Sequence, residues 1–165
     1  MEAILLITLI RWYGKSFGNT LSKIRVFSWR IILRALATRL NLCKRKVNVN
    51  PMCPLCEDQV ESEEHLFFLC PWVQMVWFCS NFNYRVNPQS FTTFDQWFES
   101  LIQMKFPFSL AKRKFLTNIS FLLWYIWKAR GQFIFEGCKP ELIRILKLAN
   151  SAAGDFLEVY LLVKT

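Results

Sequence analysis

Four side chains that can ligate a metal fall within 18 residues: Cys53, Cys56, His65 and Cys70. Their spacing is Cys-x2-Cys-x8-His-x4-Cys. A Cys-x-x-Cys turn lets two thiolates converge on one ion, and Pro54 stiffens that turn. The eight residues after Cys56 close a loop back to the site. His65 and Cys70 bracket one helical turn, so both side chains reach the same point. Three thiolates and one imidazole suit a tetrahedral zinc ion. With all four positions filled by protein, none is left for water, and such a site is structural rather than catalytic.

Other readings of these residues are weaker. His65 is the only histidine in the chain, which excludes a catalytic site built on two. A single His in an apolar stretch is ordinarily a satisfied core residue, but three suitably spaced Cys beside it favour the ligand role. A redox Cys-x-x-Cys usually opens a helix next to a βαβ pattern, and none is visible here. Without a secretory signal a disulfide framework is a poor reading. Cys43, Cys79 and Cys138 read as ordinary thiols.

The elements that must position these ligands are helical. The chain has 165 residues, 53% of them apolar and 16 of them Phe, so it can bury a real core. Five Gly and six Pro argue against a loop-rich β protein. From Ser22, the apolar residues Val26, Trp29, Leu33, Leu36 and Leu40 recur at spacings 3, 4, 3, 4. This predicts a helix with that stripe, Trp29 included, in the core, and with Lys23, Arg30 and Arg34 on another face. Thr38 is a candidate cap for a short helix from Arg39, and Ser62 for a turn carrying Glu63 to Leu69. Pro71 suits the first position of a helix through Val73, Val76 and Trp77. Further helices are expected from Thr92 or Thr93, from about Leu110, and from Glu141 to Tyr160, with Pro107, Gly137 and Pro140 as breaks.

Charge is unevenly distributed. The total is +9, but residues 1–50 hold 10 basic groups and 1 acid, whereas residues 51–70 hold 5 acids and no base. A surface for polyanions is therefore expected in the N-terminal third, at Lys23, Arg25, Arg30, Arg34, Arg39, Lys44, Arg45 and Lys46. The ordinary alternative is a set of solvated helix faces. The acids between Glu57 and Glu64 would repel phosphate, so the loop between the ligands is not expected to touch it. The apolar run 3–10 is too short for a membrane span of about 20 residues, as is Phe115 to Trp127.

These residues resemble a known family. Phe27-Ser28-Trp29-Arg30, Thr38, Asn41-Leu42, Cys53-Pro54-Leu55-Cys56, Glu61-Ser62-Glu63-Glu64-His65-Leu66-Phe67-Phe68-Leu69-Cys70-Pro71 and Val76-Trp77 together resemble the zinc-binding domain of reverse-transcriptase-like proteins of plant non-LTR (LINE-type) retrotransposons. The resemblance covers roughly residues 23–78. Leu123-Trp124-Tyr125-Ile126-Trp127-Lys128-Ala129-Arg130 resembles the stretch that leads from this domain toward RNase H. The resemblance implies ligand roles for Cys53, Cys56, His65 and Cys70 and one structural zinc. It carries over no catalytic residues: the aspartate pair of a polymerase palm and the four carboxylates of RNase H are not found.

The expected fold is therefore mostly α, a small zinc-stabilised helical domain followed by a helical extension. Residues 1–22 form a poorly matched N-terminal extension, 23–81 the zinc-binding domain and 82–165 the segment toward RNase H. The expected function is non-catalytic, accessory binding of RNA or DNA. The alternative is a structural module that docks polymerase or RNase H domains through exposed aromatics such as Trp72, Trp97 or Trp124. The chain is expected inside the cell and not in a membrane.

Overall fold

The computed structural model describes residues 19–89 and 93–164. The chain divides into two compact units, the first ending at Gln103 and the second beginning at Met104. The first therefore takes in a helix that lies beyond residue 81. Among the described residues there is no strand, only an isolated antiparallel bridge between Met52 and Val60.

In the first unit, α1 (Asn19–Ile32) and α2 (Arg39–Lys44) precede the metal-binding loop. A π-helical turn (His65–Leu69), α3 (Pro71–Cys79) and α4 (Phe94–Gln103) follow it. The helix starts are chemically specified. Thr38 accepts the Asn41 N–H, Ser62 accepts the His65 N–H at 3.1 Å, Pro71 opens α3, and Thr93 accepts the Gln96 N–H.

The core face of α1 differs from the one expected. Ile24, Phe27, Ser28, Ile31 and Ile32 are buried, whereas Val26, Trp29 and Leu33 are 41%, 44% and 38% exposed. The helix is apolar on nearly every side, so two stripes satisfy the helical period. The one built on Phe27 wins, because its ring meets Phe67 edge to face at 6.0 Å. Arg34 does not share a helical face with Lys23 and Arg30, because α1 has already ended at Ile32. Arg34 sits in the left-handed region (φ 51°), where its N–H bonds the Ile31 carbonyl and the next N–H bonds Arg30. This is a Schellman cap, with arginine where glycine is usual. A second one ends α2 on Lys46 (φ 65°), with Lys46 and Val47 bonding the Cys43 and Leu42 carbonyls.

The core of this unit is aromatic. Phe67 and Phe68 are fully buried. Phe68 stacks on Trp77 at 5.5 Å and meets Trp97 at 4.5 Å. The Trp77 indole donates to the Phe67 carbonyl at 2.6 Å, so its polar end is satisfied inside the core. Trp97 thus packs within the cluster rather than standing free as a docking aromatic, and Trp72 and Trp124 are half-buried.

A polar network fixes the turn between α1 and α2. The two N–H groups of the buried Asn41 amide are shared among the Leu36 carbonyl at 3.0 Å, the Arg34 carbonyl and the Glu63 carboxylate. Asn41→Ala would leave a buried carboxylate and a buried carbonyl short of a donor. It should cost about 2–3 kcal/mol, read as a lower urea midpoint of the zinc-loaded chain. An unchanged midpoint would mean that the network adds nothing.

The second unit is a helical hairpin. α5 (Ser109–Glu136) ends at Gly137, in the left-handed conformation (φ 69°), and α6 (Leu142–Lys164) returns along it. Phe121 meets Phe156 at 6.2 Å, and the Arg113 guanidinium lies over the Tyr160 ring at 4.2 Å.

Candidate metal centre

The backbone builds the metal centre from two short pieces. The first is the tight loop from Pro51 to Glu61. The Cys53 N–H bonds the Gln59 carbonyl at 2.7 Å and the Glu61 N–H bonds the Pro51 carbonyl at 2.9 Å. Between them the chain reverses at Glu57 (φ 58°), whose N–H bonds the Cys53 carbonyl. This presents Cys53 and Cys56 inward. The second piece is the turn from His65, where the Cys70 N–H bonds the His65 carbonyl at 2.8 Å, five residues back. In an α-helix five residues sweep about 500°, leaving the two side chains about 140° apart. The wider π-type turn reduces that offset and brings His65 and Cys70 toward one side.

The four donor atoms lie within 4.8 Å of one another. The sulfurs of Cys53 and Cys70 are 4.0 Å apart, and Cys56 Sγ is 3.3 Å from His65 Nε2. A tetrahedral centre with metal–sulfur bonds of about 2.3 Å would set sulfurs about 3.8 Å apart. Among the described residues no other group of His, Cys, Asp or Glu gathers in this way. The spacing, the donor chemistry and the burial of Cys53, His65 and Cys70 all fit one structural zinc ion.

The surroundings favour the thiolate at Cys53. A hydrogen bond from the Cys70 thiol holds the Cys53 thiol well below the usual range, against burial, and His65 and the backbone N–H groups of Cys56 and Leu55 assist. Cys70 is pushed up as the donor in that contact and by burial, while the Trp72 N–H bonds its sulfur. Backbone donors aimed at ligand sulfurs orient and stabilise the charged form. His65 turns Nε2 into the cluster, and its buried Nδ1 has no partner among the described residues. The metal-binding tautomer therefore carries its proton on Nδ1.

The glutamates around His65 hold the loop against the helices. Glu61 is buried and accepts the Arg39 N–H at 2.8 Å, at the start of α2. Glu63 faces Asn41, and burial pushes its carboxyl up. Glu64 accepts the Phe94 N–H at 3.2 Å, at the start of α4, and pairs with Arg34 at 2.6 Å. Burial opposes its ionisation, but its own N–H, Arg34 and Phe94 outweigh that and hold it below the usual carboxylate range. Sequence reasoning missed these anchoring roles. The partners lie 22 or 30 residues away, and no local spacing announces them.

The expected phosphate contacts are sorted by the same geometry. Arg34 is engaged by Glu64, with Asp95 at 3.6 Å. The Arg39 guanidinium donates to the Met52 carbonyl at 3.1 Å, bracing the loop beside Cys53. Arg45 donates to the Ala35 carbonyl and stays exposed. Lys23, Arg30, Lys44 and Lys46 are exposed, and Arg25 is half-buried.

Fold and site together define a small helical zinc-binding domain. Residues 10–77 match the family described as zinc-binding in reverse transcriptase. That family is a zinc-binding domain and not the catalytic part of the enzyme. The match starts at residue 10, inside the stretch 1–22. No curated protein and no solved structure matches the chain. No helix among the described residues is long and apolar enough to cross a membrane.

Proposed function

We propose that the zinc-binding unit is a non-catalytic accessory module of a reverse-transcriptase-like polyprotein, of the plant non-LTR type, and that it holds RNA or DNA through phosphates. One observation carries this reading. Glu61, Glu63 and Glu64, three of the five acids that would repel a polyanion, are turned into hydrogen bonds and an ion pair within the unit, while Glu57 and Asp58 stay exposed on the loop between the ligands. Lys23, Arg30, Lys44, Arg45 and Lys46, in contrast, stand exposed. These five and Arg25 are the phosphate contacts of this reading, while Arg34 and Arg39 hold the metal-binding loop.

Binding of single-stranded RNA and DNA, measured across a salt series, tests it. Log K should fall by about 0.7 per phosphate contact for each decade of salt. Replacing Arg30 and Lys44 by Gln should reduce that slope by about 1–2 and weaken all sequences alike. Zinc content should not change. Binding that ignores both salt and the double substitution would overturn the reading, and would leave a structural module that docks polymerase or RNase H domains.

A further inference from the structure

The exposed side of α1 has an order of its own. At about 100° per residue, Trp29 and Val26 follow one another round the helix, with Leu33 above them just past its end. All three are exposed. Arg25 borders this apolar strip on one edge, and Arg30 and Lys23 border it on the other. Among the described residues none of these three cations has an ion-pair partner, and α1 itself contains no acid. Of the tryptophans among the described residues, Trp29 alone is exposed; Trp72, Trp97, Trp124 and Trp127 are half-buried and Trp77 is buried.

A flat apolar strip with a cation on either side complements a polyanion that also carries exposed flat rings. Double-stranded nucleic acid keeps its base faces stacked inside the duplex and offers phosphates and base edges, but no open ring face. A single strand offers phosphates and exposed ring faces together, and indole–base stacking adds to phosphate attraction whatever the base. A protein partner would need acids on both flanks of an apolar ridge, and nothing in the structure points to one.

We propose that Trp29 is a base-stacking platform, and that the outer face of α1 binds single-stranded nucleic acid with Arg25, Arg30 and Lys23 on the phosphates. This rests on the nucleic-acid reading above and goes further by choosing single strands over duplex and by naming the residue that makes the choice.

The experiment compares the zinc-loaded full chain with its Trp29→Ala and Trp29→Phe variants. Each is titrated with oligodeoxythymidylate and with a duplex of equal length, at two salt concentrations. Trp29→Ala should weaken single-strand binding by roughly 5- to 150-fold, the span expected for one lost stacking contact. Duplex binding should stay within twofold. The salt slope should not change, because the indole touches no phosphate. Trp29→Phe should keep most of the affinity. Both variants should retain zinc and the wild-type urea midpoint, since the side chain is exposed.

Single-strand affinity of Trp29→Ala within twofold of wild type, with a normal salt slope, would overturn the platform and leave the phosphate reading standing. Equal losses on single strand and duplex would overturn it too. A wild-type chain with no salt-dependent binding at all would remove both readings. Loss of zinc or a lowered urea midpoint in Trp29→Ala would place the indole in the core and also overturn the proposal.

Discussion

A Cys70→Ser chain should emerge from purification without zinc and with the first unit unfolded. The centre joins two pieces of chain: a loop closed by a few backbone hydrogen bonds and braced by Arg39, and a π-type turn whose Phe67 and Phe68 enter the core. Structural zinc contributes about 10–16 kcal/mol in small modules, more than the whole net stability of an ordinary domain, about 5–15 kcal/mol. Its loss cannot be absorbed by the aromatic core. The near-ultraviolet dichroism of the packed tryptophans should collapse, and a chelator should do the same to the wild-type chain. Acid should act similarly, because protons compete for three thiolates and an imidazole. Native-like near-ultraviolet dichroism in a zinc-free Cys70→Ser chain would show that metal and fold are not coupled.

Trp77→Ala should be the most damaging substitution away from the metal. The indole is 1% exposed and stacks on Phe68, with Phe82, Tyr84 and Trp97 around it. Truncation leaves a large cavity and takes the donor from the buried Phe67 carbonyl. The expected cost is about 3–5 kcal/mol, read from urea unfolding of the zinc-loaded chain. Phe67 and Phe68 belong to the turn that carries His65, so zinc affinity should fall as well. Trp29→Ala, by contrast, should leave stability nearly unchanged. Equal destabilisation by the two substitutions would contradict the burial described here.

The centre was legible in the sequence because its information is local. Cys-x2-Cys is a turn spacing, and Thr38, Ser62 and Pro71 are residue types that start helices wherever they occur. The His-x4-Cys spacing held more than it first suggested. Five residues do not return to the same face of an α-helix, and the structure meets that spacing with a wider turn and an extended Cys70. The core face of α1 was not legible, since a helix with Ile24, Val26, Phe27, Trp29, Ile31, Ile32 and Leu33 satisfies the helical period in two registers. Phe67, some forty residues on, favours the register built on Phe27. The acidic stretch was misleading for the same reason. Glu61 and Glu64 look like solvated charge until the helix starts at Arg39 and Phe94 come to them through the fold. Arg34 belongs with them, read as a helix-face cation yet drawn to Glu64 from a left-handed turn.

Elemental analysis of the purified wild-type chain, taken together with a chelator titration followed by dichroism, tests the central claim most directly. The expected result is one zinc per chain, lost in step with the folded signal of the first unit and restored with it when zinc is returned. A folded chain that carries no zinc, or one that gives up its zinc with no change in fold, would contradict the structural role assigned to Cys53, Cys56, His65 and Cys70.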